Sequence, residues 1–446
     1  MKKLLCFALF LLSFINICLA QKDRFIIQNK KGETKVRFKL INNLIVFPVE
    51  VNGIELSFIL DTGITKPMIF NIVNMSDSLM VKNPETTILR GLGEGESVEA
   101  LKSDGNVIKI GDALKLDQDL YAIYDSRLNF APKLGVPING IIGYDILKDF
   151  VVEINYSSRF LKFYNAEIYE YKTCNSCEVL GLGFYNNKPF IHANVTVNKK
   201  IFPVKMLVDS GGSDAIWLFE NDSLGIKCGM NYFRDFLGYG LSGSVYGRRS
   251  KIDCFSLNSF IMKDVNVAYP DSTSISYDRI MEGRNGTIAG EILKRFNIIL
   301  DYKQQRITFR KNGYFRNKFF YNKSGIVLEY GGYRYVREKD NNDNSVTYGN
   351  NSRASSAKVV LNTKYKLNLK PAYTIVELRE GSPGALAGLK LGDIILKING
   401  KLAHNYTLQE ITQMFHDDNG KFIRLLVERK GKKFEHSFKL KDILLN

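Results

Sequence analysis

Two aspartates sit in nearly the same local sequence. Asp61 closes the apolar run Phe58-Ile59-Leu60 and precedes Thr62-Gly63; Asp209 closes Met206-Leu207-Val208 and precedes Ser210-Gly211. A single aspartate at a strand end, next to a glycine, is an ordinary turn residue. Two in matching settings suggest more specific chemistry. Carboxyl groups held a hydrogen bond apart cannot both ionise cheaply, so such a pair shares one proton near working pH. The ionised member can draw a proton from a bound water as that water attacks a carbonyl carbon, while the protonated member donates to the carbonyl oxygen. This chemistry needs no metal and no covalent intermediate. Because the two sites are coupled, the proton belongs to the pair, and neither aspartate is assigned as acid or base.

Bringing two carboxylates together requires two similar elements, and the sequence contains them as an internal repeat. Asn139-Gly140-Ile141-Ile142-Gly143-Tyr144-Asp145-Ile146-Leu147-Lys148-Asp149-Phe150 aligns without gaps to Asn285-Gly286-Thr287-Ile288-Ala289-Gly290-Glu291-Ile292-Leu293-Lys294-Arg295-Phe296, with seven of twelve positions identical. Asp61 lies 78 residues before Asn139, and Asp209 lies 76 before Asn285. A duplicated unit dictates architecture. In each copy a short helix leads into two strands around a turn, Val151 to Ile154 and Phe160 to Tyr164, then Ile298 to Leu300 and Arg306 to Phe309, with Tyr156 and Tyr302 at the turns. Each copy also holds a glycine-studded stretch, Gly91-Leu92-Gly93-Glu94-Gly95 and Gly238-Tyr239-Gly240-Leu241-Ser242-Gly243, suited to a mobile hairpin or flap. Short strands rich in Val, Ile, Phe and Tyr, with only brief helices, predict a mainly β fold of two similar lobes.

On these residues, about 35 to 310 of the chain resemble the pepsin and retropepsin superfamily, in which each lobe supplies an Asp-Thr-Gly or Asp-Ser-Gly loop and a later hydrophobic-hydrophobic-glycine turn. The resemblance implies two β-barrel lobes, residues 21–170 and 171–312, and an aspartic endopeptidase without cofactor or metal. It gives Asp61 and Asp209 the catalytic roles. Thr62 and Ser210 would bond across the pair to the opposite loop's backbone, and Gly63 and Gly211 would allow close approach. A fused pair of lobes should complete the site within a monomer acting on polypeptides. Three positions depart from the superfamily's pattern: Ile64 and Gly212 stand where Ala, Ser or Thr is usual, and Ala289 where glycine is expected. Without a hydroxyl at 64 or 212 the ionised pair lacks one stabilising hydrogen bond, so activity should extend to mildly acidic or near-neutral pH.

From residue 313 a different pattern begins. Glu380-Gly381-Ser382-Pro383-Gly384-Ala385-Leu386-Ala387-Gly388-Leu389-Lys390-Leu391-Gly392-Asp393-Ile394-Ile395-Leu396-Lys397-Ile398-Asn399-Gly400 resembles a PDZ domain of the bacterial protease-associated type. Ser382-Pro383 should start a short helix and Asn399-Gly400 should form a hairpin turn. A second helix is expected from Leu408 to Phe415, then strands at Ile423 to Arg429 and Glu435 to Leu440. The resemblance implies an α+β domain that binds extended peptides, often by a terminal carboxylate. A polar insertion rich in Asn, Asp and Ser interrupts it near 339–357.

The wider composition bounds the rest. Lys2-Lys3, an apolar run from Leu4 to about Ile17 and the small residue Ala20 predict a signal peptide over 1–20, hence export to the periplasm or outside the cell. No later stretch is apolar enough for a membrane anchor. Beyond the leader, Cys174, Cys177, Cys228 and Cys254 are consistent with two disulfides in an oxidising compartment. The net charge of +16 is scattered rather than clustered, which argues against specific nucleic-acid binding. His192, His404, His416 and His436 show no metal-ligand spacing, and Gly91-x-Gly93-x-Gly95 lacks the third glycine and helix of a nucleotide loop. Trp217, on an apolar strand, is expected to pack in the core. The alternative from another class is an inactive scaffold that uses the same fold and the PDZ-like domain to hold peptides.

Overall fold

The structure is a computed structural model that describes residues 24–71, 79–91, 96–125, 128–240, 243–275, 281–339 and 365–444. The expected leader, residues 92–95 and 241–242 of the two glycine-studded stretches, and most of the polar insertion lie outside the described residues. The fold is mainly β, with only short helices. Internal contacts divide the chain into two units. The first takes in the chain up to Tyr321 except 132–135, together with the end of the chain from Asp442; the second is Pro132–Gly135 with Asn322–Lys441.

Within the first unit the repeat in sequence becomes a repeat in topology. Strand Ile54–Leu60 pairs antiparallel with Leu44–Val51 and parallel with Gly140–Ile142. Strand Lys200–Val208 pairs in the same way with Lys188–Val197 and Gly286–Ile288. The antiparallel pairs close over two-residue turns at Asn52-Gly53 and Asn198-Lys199, all four residues at positive φ, the backbone that matches strand twist and favours Asn and Gly. A nine-stranded sheet forms around the first motif and an eight-stranded sheet around the second.

A third, six-stranded sheet joins the two halves. Phe150–Asn155 and Phe296–Asp301, the strands that follow the two repeated segments, pair antiparallel with Val151 opposite Asp301 and Ile154 opposite Ile298. Their inward residues Phe150, Val152, Ile154, Phe296, Ile298 and Leu300, with Phe163 and Phe309 from the neighbouring strands, are buried in one core that runs through both halves. Each such side chain contributes roughly 1.5–3 kcal/mol. Both halves are thereby fixed relative to each other by a large apolar area and a continuous hydrogen-bond ladder.

The first unit ends at Tyr321 rather than near 312 because buried groups hold residues 314–321 there. Arg295, only 1% exposed, donates to the carbonyls of Tyr314, Phe315 and Asn317 and lies over the ring of Phe319. Tyr321 donates to the carbonyls of Ser250 and Val267. The expectation of two disulfides is corrected to one. Cys174 and Cys177 are bonded, while Cys228 and Cys254 are free. Cys254 lies mid-strand between Thr196 and Lys263, whereas Cys228 follows the Asn221 to Ile226 bridge with its N–H bound to Glu220, so the two sit on separate elements.

The second unit is a six-stranded sheet with Ile326–Lys339 at one edge and Lys432–Lys439 at the other. Ser382 caps the short helix Pro383–Leu386, and Thr407 with Glu410 forms a capping box on Leu408–Phe415. Asn399 and Gly400 take positive φ in the turn after Ile394–Ile398. The carboxylate of Asp393 is fully buried; it accepts from Arg429 at 2.6 and 2.7 Å and from the Lys390 N–H at 2.9 Å. Arg429 reaches solvent, so removing Asp393 costs mainly its hydrogen bonds and leaves the Lys390 N–H without its acceptor, a loss of about 2 kcal/mol. Asp393→Ala should therefore lower the urea midpoint of a transition assigned to the second unit by tryptophan-independent probes such as hydrogen exchange, with the first unit unmoved; unchanged exchange in Ile394–Ile398 would contradict this.

Candidate active site

The two motifs meet where their strands end. The N–H of Asp61 bonds the carbonyl of Ile142, and that of Asp209 bonds the carbonyl of Ile288, each at 2.9 Å. The strand of each later repeated segment, Gly140–Ile142 or Gly286–Ile288, thus sets the aspartate's backbone in the same way. Thr62 Oγ1 donates to the Val208 carbonyl at 2.6 Å and accepts from the Ser210 N–H at 3.0 Å. Ser210 Oγ donates to the Leu60 carbonyl at 2.7 Å and accepts from the Thr62 N–H at 3.1 Å. Both hydroxyl residues are buried. This reciprocal frame of four bonds closes the two loops onto each other.

The frame brings the carboxyl groups of Asp61 and Asp209 into hydrogen-bond contact. Each also accepts from the glycine two residues on, Gly63 at 2.7 Å and Gly211 at 2.9 Å. A Cβ at Gly211 would lie 2.3 Å from the Asp61 carboxyl, so no other residue fits. The structure therefore gathers all six residues singled out from the sequence: Asp61, Thr62, Gly63, Asp209, Ser210 and Gly211.

Burial and the neighbouring Asp209 charge push the Asp61 carboxyl up to about 8, opposed by the Gly63 N–H and by Lys188. Asp209 is raised chiefly by burial, offset by the Arg284 guanidinium, the Gly211 N–H and Lys188. A pair of this kind keeps one proton into the neutral range.

Ile64, Gly212 and Ala289, the three departures from the family pattern, explain one another. In the first half Ile64 faces Gly143, where an added Cβ would lie 1.9 Å from the Asp61 carbonyl and 2.8 Å from that of Ile64. In the second half the large and small partners are exchanged: Ala289 carries the methyl, and Gly212 makes room, its own hypothetical Cβ falling 3.0 Å from that of Ala289. Ala289 is accommodated in extended backbone. Gly212 also donates its N–H to Asp209.

Two charged residues at the site, Lys188 and Arg284, were not picked out from the sequence. Arg284 donates through Nε to the Gly286 carbonyl and through Nη2 to Thr287 Oγ1, and its guanidinium lies 5.2 Å from the Phe219 ring centroid. Burial lowers its proton affinity, to about 10, and Asp209 opposes that shift. The gapless alignment would have placed it opposite Ile138, a signal available from the repeat alone.

The hairpin that carries the second glycine-studded stretch is anchored near this loop. Arg249 donates to Asp214 and to Asp235, each at 2.9 Å, and Trp217 Nε1 donates to the other Asp214 oxygen at 2.7 Å. Burial opposes the charge of Arg249, but Asp214 and Asp235 outweigh it and raise its proton affinity. Trp217 is half-buried rather than wholly in the core.

In the second unit, strand Ile326–Lys339 has, among the described residues, a partner strand on one side only, and it neighbours helix Leu408–Phe415. Just before it, Asn322 Oδ1 accepts from the N–H groups of Ser324 and Gly325 and from Ser324 Oγ, at 2.8 to 3.1 Å. Residues 374–429 match the PDZ domain family. The PDZ domain thus covers the helix Pro383–Leu386, the Asn399-Gly400 turn and the strand Phe422–Arg429. No curated protein matches the chain.

Two outcomes test the frame. Thr62→Val removes a buried donor and strands the Ser210 N–H, a loss of about 2 kcal/mol, read as a lower chemical-denaturation midpoint for the first unit. The raised Asp61 carboxyl binds its proton more tightly folded than unfolded, so its burial costs stability progressively as pH rises from about 4 toward 8. Asp61→Asn should accordingly raise the melting temperature more at pH 8 than at pH 4, and an equal shift at both would refute the assignment.

Proposed function

We propose that the first unit is an aspartic endopeptidase with two retropepsin-like lobes, and that the PDZ domain holds polypeptide for it. The observation that carries this reading is the hydrogen-bonded pair Asp61 and Asp209, framed by Thr62 and Ser210. In this reading a water bound between the carboxyls loses a proton to the ionised member and attacks the peptide carbonyl, while the protonated member donates to the carbonyl oxygen. Collapse of the resulting tetrahedral species, with a proton passed to the departing amine, breaks the peptide bond. Both carboxyls come from one chain, which favours a monomer. The leader favours exported or extracellular polypeptides as substrate.

The PDZ domain would bind an extended peptide along the free edge of Ile326–Lys339, where main-chain bonds supply affinity. The N–H groups of Ser324 and Gly325 are already taken by Asn322, which favours internal segments over terminal carboxylates.

Purified protein incubated with an unfolded protein mixture tests the proposal. Cleavage is expected from mildly acidic pH up to about 8, falling above that as the shared proton is lost, because Asp61 is raised to about 8. Asp61→Asn and Asp209→Asn should each reduce the rate by at least about a thousandfold. A parent protein inert throughout, yet able to bind peptides, would instead favour the scaffold reading.

A further inference from the structure

We infer that the second half of the cleft recognises an acidic side chain, Asp or Glu, beside the bond to be cut, through Lys188 and Arg284. This rests on the endopeptidase reading above and names its substrate class.

The placement follows from strand register. Phe190 stands opposite Leu207 and Ile191 opposite Met206, so continuing the ladder by two residues brings Lys188 opposite Asp209. Lys188 begins its strand directly after the Asn186-Asn187 turn, whose residues take positive φ, and Thr65 of the first motif's loop donates to the Asn186 carbonyl. The lysine is therefore tied to the mouth of the site from both halves. Arg284 is held from below by Gly286 and Thr287, on the strand whose Ile288 carbonyl fixes Asp209. Its Nη1 takes part in neither bond. Both cations are half-buried, with part of each side chain still accessible.

The matching positions of the first half are apolar. The register Val46 opposite Ile59 continues to Leu44 opposite Asp61, and the gapless alignment sets Ile138 against Arg284. Leu44 is 7% exposed and Ile138 fully buried. At these matched positions the backbone frame is symmetric while the charge is on one side.

Charge counting then identifies the ligand. Among the described residues, a singly protonated pair carries one negative charge and faces two cations, which leaves one positive charge uncompensated. Such an excess in a site sheltered from water favours a carboxylate on the substrate, since a charge-assisted bond there is stronger than at the surface. On the other half, Leu44 and Ile138 offer no partner for a charged side chain.

The experiment uses the full chain and pairs of peptides that differ only by Glu or Gln beside the scissile bond, chosen from cleavage sites mapped by mass spectrometry. Asp or Glu should be enriched at one position flanking the cut, with kcat/KM about tenfold higher for the Glu peptide. Lys188→Met and Arg284→Met together should bring that ratio close to one, while Arg284→Lys retains part of it. No enrichment, or a ratio unchanged in the double variant, overturns the inference. Fluorescence anisotropy with the Asp61→Asn protein reads the same Glu/Gln preference without turnover. If the parent cleaves nothing, the anisotropy comparison is made with a fixed set of peptides that carry Glu or Gln at one central position: a preference for Glu there means that the endopeptidase reading fails and the recognition stands, and equal binding of both peptides overturns the recognition itself.

Discussion

The site depends on keeping two carboxyl groups so close that only one can be charged. Water would separate them, and the protein prevents this by making the four bonds among Thr62, Ser210, Leu60 and Val208 the shortest route for satisfying two buried loops. Those bonds cannot form unless both halves are in place, because each hydroxyl reaches the other half's backbone. The six-stranded sheet supplies that placement through pairing of Phe150–Asn155 with Phe296–Asp301. Burial then raises both carboxyl affinities. The apolar core beneath the halves thus offsets the unfavourable crowding above them.

Two halves with one backbone plan carry different side chains, and the differences are coordinated. Ile64 with Gly143 and Gly212 with Ala289 occupy the same space with the large and small residues exchanged. That exchange preserves packing against both aspartate loops while removing any hydroxyl from positions 64 and 212. The second coordinated difference is electrical, with Lys188 and Arg284 on one side and Leu44 and Ile138 on the other. A duplicated site with identical halves could hold the shared proton only symmetrically. Here Arg284 acts on Asp209, and the field across the pair is directional.

Much of this was legible in the sequence because it repeats. The motif strands, the Ile-Leu-Lys helices and the paired strands after them follow from apolar alternation and turn residues, and the helix Leu408–Phe415 begins at a readable capping box. Lys188 and Arg284 escaped notice since a lone lysine or arginine is ordinarily a solvated residue; only strand register and alignment of the copies place them at the pair. The cysteines misled for a similar reason. Even number is a property of the chain, whereas pairing is a property of position, and Cys254 lies mid-ladder while Cys228 lies on a separate element. The unit boundary moved to Tyr321 because Arg295, read as a repeat position, turned out to hold the following segment through its carbonyls.

On the endopeptidase reading, the second unit offers its edge strand to an extended polypeptide. An unpaired strand edge is a hazard for aggregation unless it is short, charged or covered, yet Ile326–Lys339 is long and, among the described residues, pairs on one side only. Helix Leu408–Phe415 narrows the approach, and Lys323 ties the preceding loop to that helix by bonding the carbonyls of Phe415, His416 and Asp417. Asn322 fills the neighbouring backbone N–H groups, which on the peptide-binding reading favours the middle of a chain over a terminal carboxylate. A peptide hydrolase acting within chains needs substrate delivered in that form, and on the endopeptidase reading the two units impose the same conformational demand on the polypeptide they share.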